Sequence, residues 1–245
     1  MKIPTFPECD HDGVKSLASQ SDYELVRWFQ KSPTDGKYFT ALFCRYSSVV
    51  YSLIRHSARS PVQADYLFAL TWRHILNELG GIDLTAIRGQ PPGHSASSAP
   101  QPPRPAAEFS LQAWLISLTA AYLNQAVLPE VESIHYTLKD APPPLWCYTN
   151  RALDMIAPKY RLMILMAQTF EWSDTRIAAY LQAEGEQSSA QAVRTELGRA
   201  YRALEQAMPE DVRAVYLGDA LVASPAVETA NGRMTIEFDE VDLPV

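Results

Sequence analysis

The spacing of apolar residues between positions 39 and 53 constrains the fold of this chain more than any other feature. Steps of three, one, three, three, one and three separate seven apolar residues, which places them on one helical face. They are Phe39, Leu42, Phe43, Tyr46, Val49, Val50 and Leu53. A second stripe, with steps of four, three, four and four, is formed by Val193, Leu197, Ala200, Leu204 and Met208. Because no segment alternates strongly enough to compete as a strand, we predict an all-α fold.

Helix breaks divide the chain into two compact blocks. Ser21 and Glu24 have the spacing of a capping box and begin the first block. A Pro- and Ser-rich stretch without apolar period interrupts that block, and a second break contains Pro129 and Pro142–Pro144. We therefore predict two helical domains joined by a Pro-rich linker. The predicted segments are a flexible N-terminus 1–20, a first domain 21–128 with a disordered insert 84–108, a linker 129–149, a second domain 150–213 and an acidic tail 214–245.

Composition and charge restrict the function classes. The chain has 245 residues, 47% of them apolar, so that each block has enough apolar residues for a core. Its net charge is -7, and the tail contributes one arginine against six acidic residues. A nucleic-acid-binding protein usually presents a basic face, so this acidity argues against strong nonspecific DNA binding but leaves room for local basic stripes.

The three cysteines, Cys9, Cys44 and Cys147, are scattered and form no CxxC motif. This pattern argues against a disulfide framework and fits a reducing compartment. No signal peptide and no run of 18 apolar residues is visible, so we expect a cytoplasmic protein without a membrane span. Phosphate-binding loops, hydrolase motifs and metal-ligand spacings are also absent from the sequence, and we expect no metal, no cofactor and no enzymatic activity.

The last block has the pattern of a helix-turn-helix. A short helix, Ser173 to Leu181, is followed by a polar turn and a longer helix, Ser189 to Met208. In this motif the second helix enters the major groove, although its turn usually has only three or four residues. If the apolar stripe faces the core, five residues that suit DNA contact face outward or lie at the margin: Gln191, Arg194, Thr195, Arg199 and Arg202.

Several short motifs follow one another in a specific order. The first block contains Asp22–Val26, Arg45–Tyr46, Ala64–Leu67 with Thr71–Trp72, and Phe109–Leu118. The second contains Leu153, Pro158, Arg161, Leu165, Ile177, Ala178, Leu181, Ala192, Val193, Arg199, Ala200 and Leu204. In this order the chain resembles a bacterial sigma-70 family RNA polymerase sigma factor of the extracytoplasmic-function type. The similarity covers region 2 at about 20–128 and region 4 at about 150–210.

The resemblance implies a transcription initiation factor that is a monomer when free. Its partners would be core RNA polymerase, promoter DNA and an anti-sigma factor. The implied polymerase-binding residues are Asp65, Tyr66, Phe68 and Ala69. The implied contacts with the −10-like strand are Trp114, Ser117 and Ala121. The −35-like element would be recognised by Gln191, Arg194, Thr195, Arg199 and Arg202.

The chain departs from the family pattern after the Trp-Leu pair at 114–115. Members of the family usually carry Arg, Asn, Asp and Arg there, whereas the matching positions here are Ala120, Ala121, Gln125 and Leu128. Two alternatives therefore stay open. One is a sigma-like adaptor, or an anti-sigma factor, that does not recognise promoters. The other is a helix-turn-helix repressor, which should form a stable dimer on a palindromic operator.

Overall fold

The computed structural model describes residues 4–84, 110–134 and 136–218, and in these residues it contains ten α-helices and no strand. The all-α prediction is therefore confirmed for the described part of the chain. The helices are α1 Asp12–Lys15, α2 Asp22–Lys31, α3 Gly36–Ser57, α4 Pro61–Glu78, α5 Leu111–Gln125, α6 Pro143–Met155, α7 Pro158–Gln168, α8 Asp174–Ala183, α9 Ala190–Ala207 and α10 Glu210–Leu217. Almost all of the predicted insert, and the tail from 219 onward, lie outside the described residues.

Serine side chains begin several of these helices by accepting otherwise unpaired backbone N–H groups. The capping box predicted at the start of α2 is confirmed: Glu24 N donates to Ser21 Oγ over 3.2 Å, and Ser21 N donates to Glu24 Oε2 over 3.0 Å. Ser60, Ser173 and Ser189 accept in the same way at the starts of α4, α8 and α9. The local sequence thus determines where these helices begin.

One main core joins residues that the sequence analysis assigned to two separate domains. The cluster of buried apolar side chains extends from Phe6 through α2–α6 and includes Leu204 of α9 and Val212 of α10. At its centre, the Trp72 ring makes edge contacts with Phe39 and Phe43, at centroid distances of 5.7 and 5.0 Å. The described residues therefore do not confirm two separate domains joined by a linker.

The predicted linker 129–149 contains the first half of a buried helix. Helix α6 begins at Pro143 and buries Trp146, Cys147 and Tyr148 against the main core. Pro143 and Pro144 lie in its first turn. The backbone N–H groups of a first turn have no acceptor within the helix, so the N–H that proline lacks is not missed there. This explains why a proline run that resembles a linker in the sequence is the start of a helix in the structure.

The described part of the N-terminal segment, from residue 4, packs against the helical core. Phe6 and Val14 are buried in the main core, and Cys9 forms a disulfide with Cys44 of α3. The expectation of unpaired cysteines is wrong for this pair, because the segment lies against α3 and brings the two Cα atoms to 5.5 Å. Only Cys147 is a free thiol, and it is buried.

Helix α10 is fastened to the first turn of α3. The Asp211 carboxylate accepts hydrogen bonds from Gly36 N at 3.1 Å and Lys37 N at 2.8 Å. A carboxylate at a helix N-terminus is also favoured by the helix dipole. Gly36 is needed for this approach, because a Cβ there would overlap Cγ2 of Val212 and lie 3.1 Å from Tyr148 Cε2.

We predict that Gly36→Ala lowers the free energy of unfolding by roughly 1–3 kcal/mol, the usual cost of overpacking a core. Gly198→Ala in α9 is the control, since the nearest atom to its added Cβ is Arg202 Nη1 at 3.7 Å. That substitution should be neutral or stabilise the protein by up to about 1 kcal/mol. Urea denaturation of the parent and both variants measures these changes in the free energy of unfolding. Equal effects at the two positions would contradict the proposed joint between α3 and α10.

Candidate nucleic-acid interface

A second, smaller core holds α7, α8 and α9 together. Its buried members are Met163, Met166, Ile177, Ala178, Leu181, Val193 and Leu197. The later part of the α9 stripe, Ala200 and Leu204, belongs instead to the main core. Helix α9 is therefore shared: its first half completes a three-helix unit, and its second half anchors that unit to the rest of the described chain.

The connection between α8 and α9 is longer than in most helix-turn-helix motifs. Helix α8 extends to Ala183, two residues beyond the predicted end at Leu181, which leaves the six residues 184–189 as the turn. Gly185 has a φ of 91°, a backbone conformation that glycine adopts readily. Glu186 N donates to Leu181 O over 2.9 Å and closes the end of α8. The motif is thus a helix-turn-helix with an extended turn.

The five residues predicted to contact the −35-like element all lie exposed along α9. Gln191, Arg194, Thr195, Arg199 and Arg202 are solvent-accessible, while Val193, Leu197, Ala200 and Leu204 of the same helix are buried. Gly198 adds no side chain between Thr195 and Arg202, and the Arg202 guanidinium lies over this position. The structure therefore brings this predicted set together on one accessible side of α9.

Two of the three arginines on this face are paired with acidic neighbours. Arg194 Nε lies 3.0 Å from Asp174 Oδ2 of α8, and Arg199 pairs with Glu196 one turn away. Arg202 forms no ion pair with a described residue. Exposed ion pairs of this kind contribute at most about 1 kcal/mol, so a phosphate or a guanine edge can replace the acidic partner at little cost.

An aromatic cluster around the N-terminal end of α8 was not predicted from the sequence. The Trp172 ring lies 5.8 Å from the Phe170 ring and 5.8 Å from the Tyr180 ring, and the Arg176 guanidinium lies 4.3 Å above Trp172. Phe170 is 56% exposed. The sequence contains one signal of this cluster: Phe170 and Tyr180 are large aromatic residues that fall outside the apolar stripes. Aromatic rings with a stacked arginine suit contact with flat, delocalised groups.

The three residues implied for the −10-like strand share one side of α5, but they differ in accessibility. Ser117 and Ala121 are exposed, whereas Trp114 packs partly against the main core. No residue of Leu111–Gln125 is charged. This face can therefore offer small polar and apolar contacts to a nucleic acid, but no cation for its phosphates.

The residues implied for polymerase binding are mostly inaccessible in this structure. Tyr66, Phe68 and Ala69 are buried, the last two with no exposed surface. Helix α4 is central, and apolar side chains cover it on several sides. Only Asp65 reaches a surface: it is half-buried and accepts a hydrogen bond from Tyr51 Oη over 2.9 Å. The other three are covered in this form of the chain, and their role in polymerase binding stays a prediction.

Asp65 lies on the wall of a cleft of about 1130 Å³. The N-terminal segment and α10 contribute other parts of the wall, including Phe6, Glu8 and Tyr216. Glu8 is only 4% exposed and accepts a hydrogen bond from Tyr216 Oη over 3.2 Å. Burial raises the pKa of both carboxyl groups, and burial together with the Asp65 hydrogen bond raises the pKa of Tyr51 to about 12. The cleft wall therefore includes two carboxyl groups whose ionised form is disfavoured by burial.

Metal and membrane sites receive no support from the described residues. No cluster of His, Cys, Asp and Glu side chains there could hold a metal ion. None of the helices in residues 4–84, 110–134 and 136–218 combines the length and apolar character needed to cross a bilayer.

The chain matches no protein-family model, no curated protein and no solved structure.

Glu8→Gln should raise the free energy of unfolding at pH 7. The buried carboxyl has a pKa above its ordinary value of 4.5, so its ionised form destabilises the folded state once the pH exceeds that value. Glutamine keeps an oxygen that can accept from Tyr216 and removes the charge. The gain should shrink as the pH falls below 4.5, where glutamate is protonated in both states.

Chemical denaturation of the two proteins at pH 7 and pH 4 measures this difference. Glu132→Gln, at an exposed position, is the control and should change little at either pH. A Glu8→Gln protein that is no more stable than the parent at pH 7 would show that the buried carboxylate carries no net penalty.

Proposed function

We propose that this chain is a transcription initiation factor of the sigma-70 type, which binds core RNA polymerase and directs it to promoters. The main support for the proposal is that α9 has one buried and one exposed face. The helix buries Val193 and Leu197 in the three-helix unit and exposes Gln191, Arg194 and Arg202 on the opposite side. A protein with this role acts in the cytoplasm, where bacterial polymerase works.

The dimensions of α9 suit a major groove. Its 18 residues give a helix about 27 Å long, and the major groove of B-DNA is about 12 Å wide. Arg194 or Arg202 could bond bidentately to a guanine, while Gln191 could recognise an adenine. Phosphates would take the place of Asp174 and Glu196 beside the arginines. Each base contact of this kind discriminates by roughly 1–3 kcal/mol.

The overall charge favours an initiation factor over an independent DNA-binding protein. A net charge of -7 gives weak nonspecific attraction to DNA, because that attraction comes from cations that displace counterions from phosphates. A factor carried by polymerase does not depend on its own nonspecific attraction. It needs only the few side chains on α9 that discriminate between sequences.

One observation favours a second candidate, a sigma-like adaptor that binds polymerase without opening promoters. The exposed positions of α5 include Ala120, Ala121 and Gln125, and the helix carries no charge. A helix that holds an opened strand would benefit from cations close to the phosphates. The adaptor and the initiation factor share polymerase binding and differ in DNA recognition.

The proposal is tested by selecting DNA from a random pool. The chain, with its Cys9–Cys44 disulfide reduced, is first bound to purified core polymerase. We expect an enriched −35-like sequence with the parent chain. Arg194→Ala combined with Arg202→Ala should abolish that enrichment while the variant still co-elutes with polymerase on a sizing column. The physical reason is that these side chains contact bases and have no role in either core.

Arg27→Ala combined with Arg59→Ala is the matched control, because it removes the same charge from exposed positions outside α9. It should retain the enrichment. Co-elution without any enriched sequence would favour the adaptor. A stable dimer that selects palindromic DNA without polymerase would overturn both candidates in favour of a repressor.

A further inference from the structure

The N-terminal segment 4–18 covers part of α3 and α4. The Phe6 ring contacts the Phe43 ring edge-on at a centroid distance of 4.7 Å and stacks beside Phe68 of α4 at 6.0 Å. Farther along the segment, Val14 is buried in the same core. The covered surface includes Phe68, one of the positions at which the sigma-like pattern implies polymerase binding, and it borders Asp65 in the cleft.

The segment has little local structure to hold it in place. It contains a 3₁₀ turn of four residues and a helix α1 of four residues, both far too short to be stable alone. Its buried Glu8 opposes docking at neutral pH, because burial disfavours the carboxylate. Apart from Phe6 and Val14, the strongest restraint is covalent: the bond between Cys9 and Cys44.

The two residues of this disulfide are less buried than the remaining cysteine. Cys9 and Cys44 are both partly exposed, whereas Cys147 is 1% exposed and burial raises its pKa to about 12. A cytoplasmic disulfide is usually transient and redox-sensing, because cellular dithiols reduce it. The proposed function places the chain in the cytoplasm, where cellular dithiols can reduce this bond.

We infer that segment 4–18, fastened by the Cys9–Cys44 disulfide, covers the polymerase-docking face on α3 and α4, and that reduction of the bond uncovers it. This inference rests on the proposed function and supplies a regulation for it. The uncovered face would present parts of the Phe43 and Phe68 rings, with Tyr51 and the Asp65 carboxylate at its edge. Such a face fits a partner helix that carries apolar residues and one lysine or arginine.

The chemical step is thiol–disulfide exchange with a dithiol reductant. A thiolate of the dithiol attacks one cysteine sulfur, the S–S bond breaks, and the other cysteine leaves as a thiolate that takes up a proton. The second thiol of the reductant then attacks the mixed disulfide. It releases the first cysteine and leaves the reductant as a disulfide. Two electrons pass from the dithiol to the protein, which gains two thiols.

The test compares the oxidised chain, the chain reduced with dithiothreitol, and the Cys9→Ser/Cys44→Ser variant. Hydrogen exchange of the peptides spanning 4–18 is measured first. Affinity for purified core polymerase is measured next. Reduction should accelerate exchange in 4–18 at least tenfold and tighten polymerase binding at least tenfold. The double variant should match the reduced chain in both measurements with or without dithiothreitol, which controls for effects of the reductant itself.

The two measurements separate the possible failures. Exchange in 4–18 that is unchanged in the reduced chain would overturn the inference, whatever polymerase does. Faster exchange with equal polymerase affinity of the oxidised and reduced forms would also overturn it, because the segment would then cover no docking face. Faster exchange with no polymerase binding by any form would overturn the proposed function, and with it the partner assigned to this face.

Discussion

The close approach of α10 to the first turn of α3 is the contact on which the rest of the arrangement depends. Gly36 leaves room for Val212, and Asp211 pairs with the N–H groups of Gly36 and Lys37, which no intrahelical acceptor could satisfy. Through this joint the chain beyond α9 returns to the helices near its beginning. The second half of α9 is also buried in the main core, where it packs on α6, and its first half is part of the three-helix unit.

The same joint connects the candidate interface to the cleft. Tyr216 of α10 donates to Glu8 of the N-terminal segment, so the segment touches the element that fastens α3. Phe6 and the disulfide hold the other side of the segment against α3 and α4. A change in the segment therefore alters both the cleft wall at Asp65 and one contact of α10. This places the proposed redox control beside the proposed docking face.

The sequence predicted those features that depend on neighbouring residues. The capping box at Ser21 and Glu24 and the stripe at Val193, Leu197, Ala200 and Leu204 follow from local hydrogen bonding and from the helical period. The exposed set on α9 followed directly from that stripe. These predictions succeeded because each needs only the residues within one or two turns.

Features set by distant contacts could not be predicted in this way. Helix α4 is apolar on several sides, so its period does not show which side a partner could reach, and Phe68 proved to be buried. Cys9 and Cys44 are 35 residues apart, and only packing of the segment against α3 brings them together. Pro142–Pro144 resembled a linker because a run of prolines looks the same in the sequence whether it lies in a linker or begins a buried helix.

Run-off transcription most directly tests the central proposal, that this chain directs RNA polymerase to promoters. Reduced chain and purified core polymerase would be given linear templates recovered by the complex from random DNA. We predict discrete transcripts that begin at one position on each template and that disappear when the chain is omitted. Transcripts indistinguishable from those of core polymerase alone would contradict the proposal, and a chain that nevertheless bound polymerase would then be an adaptor.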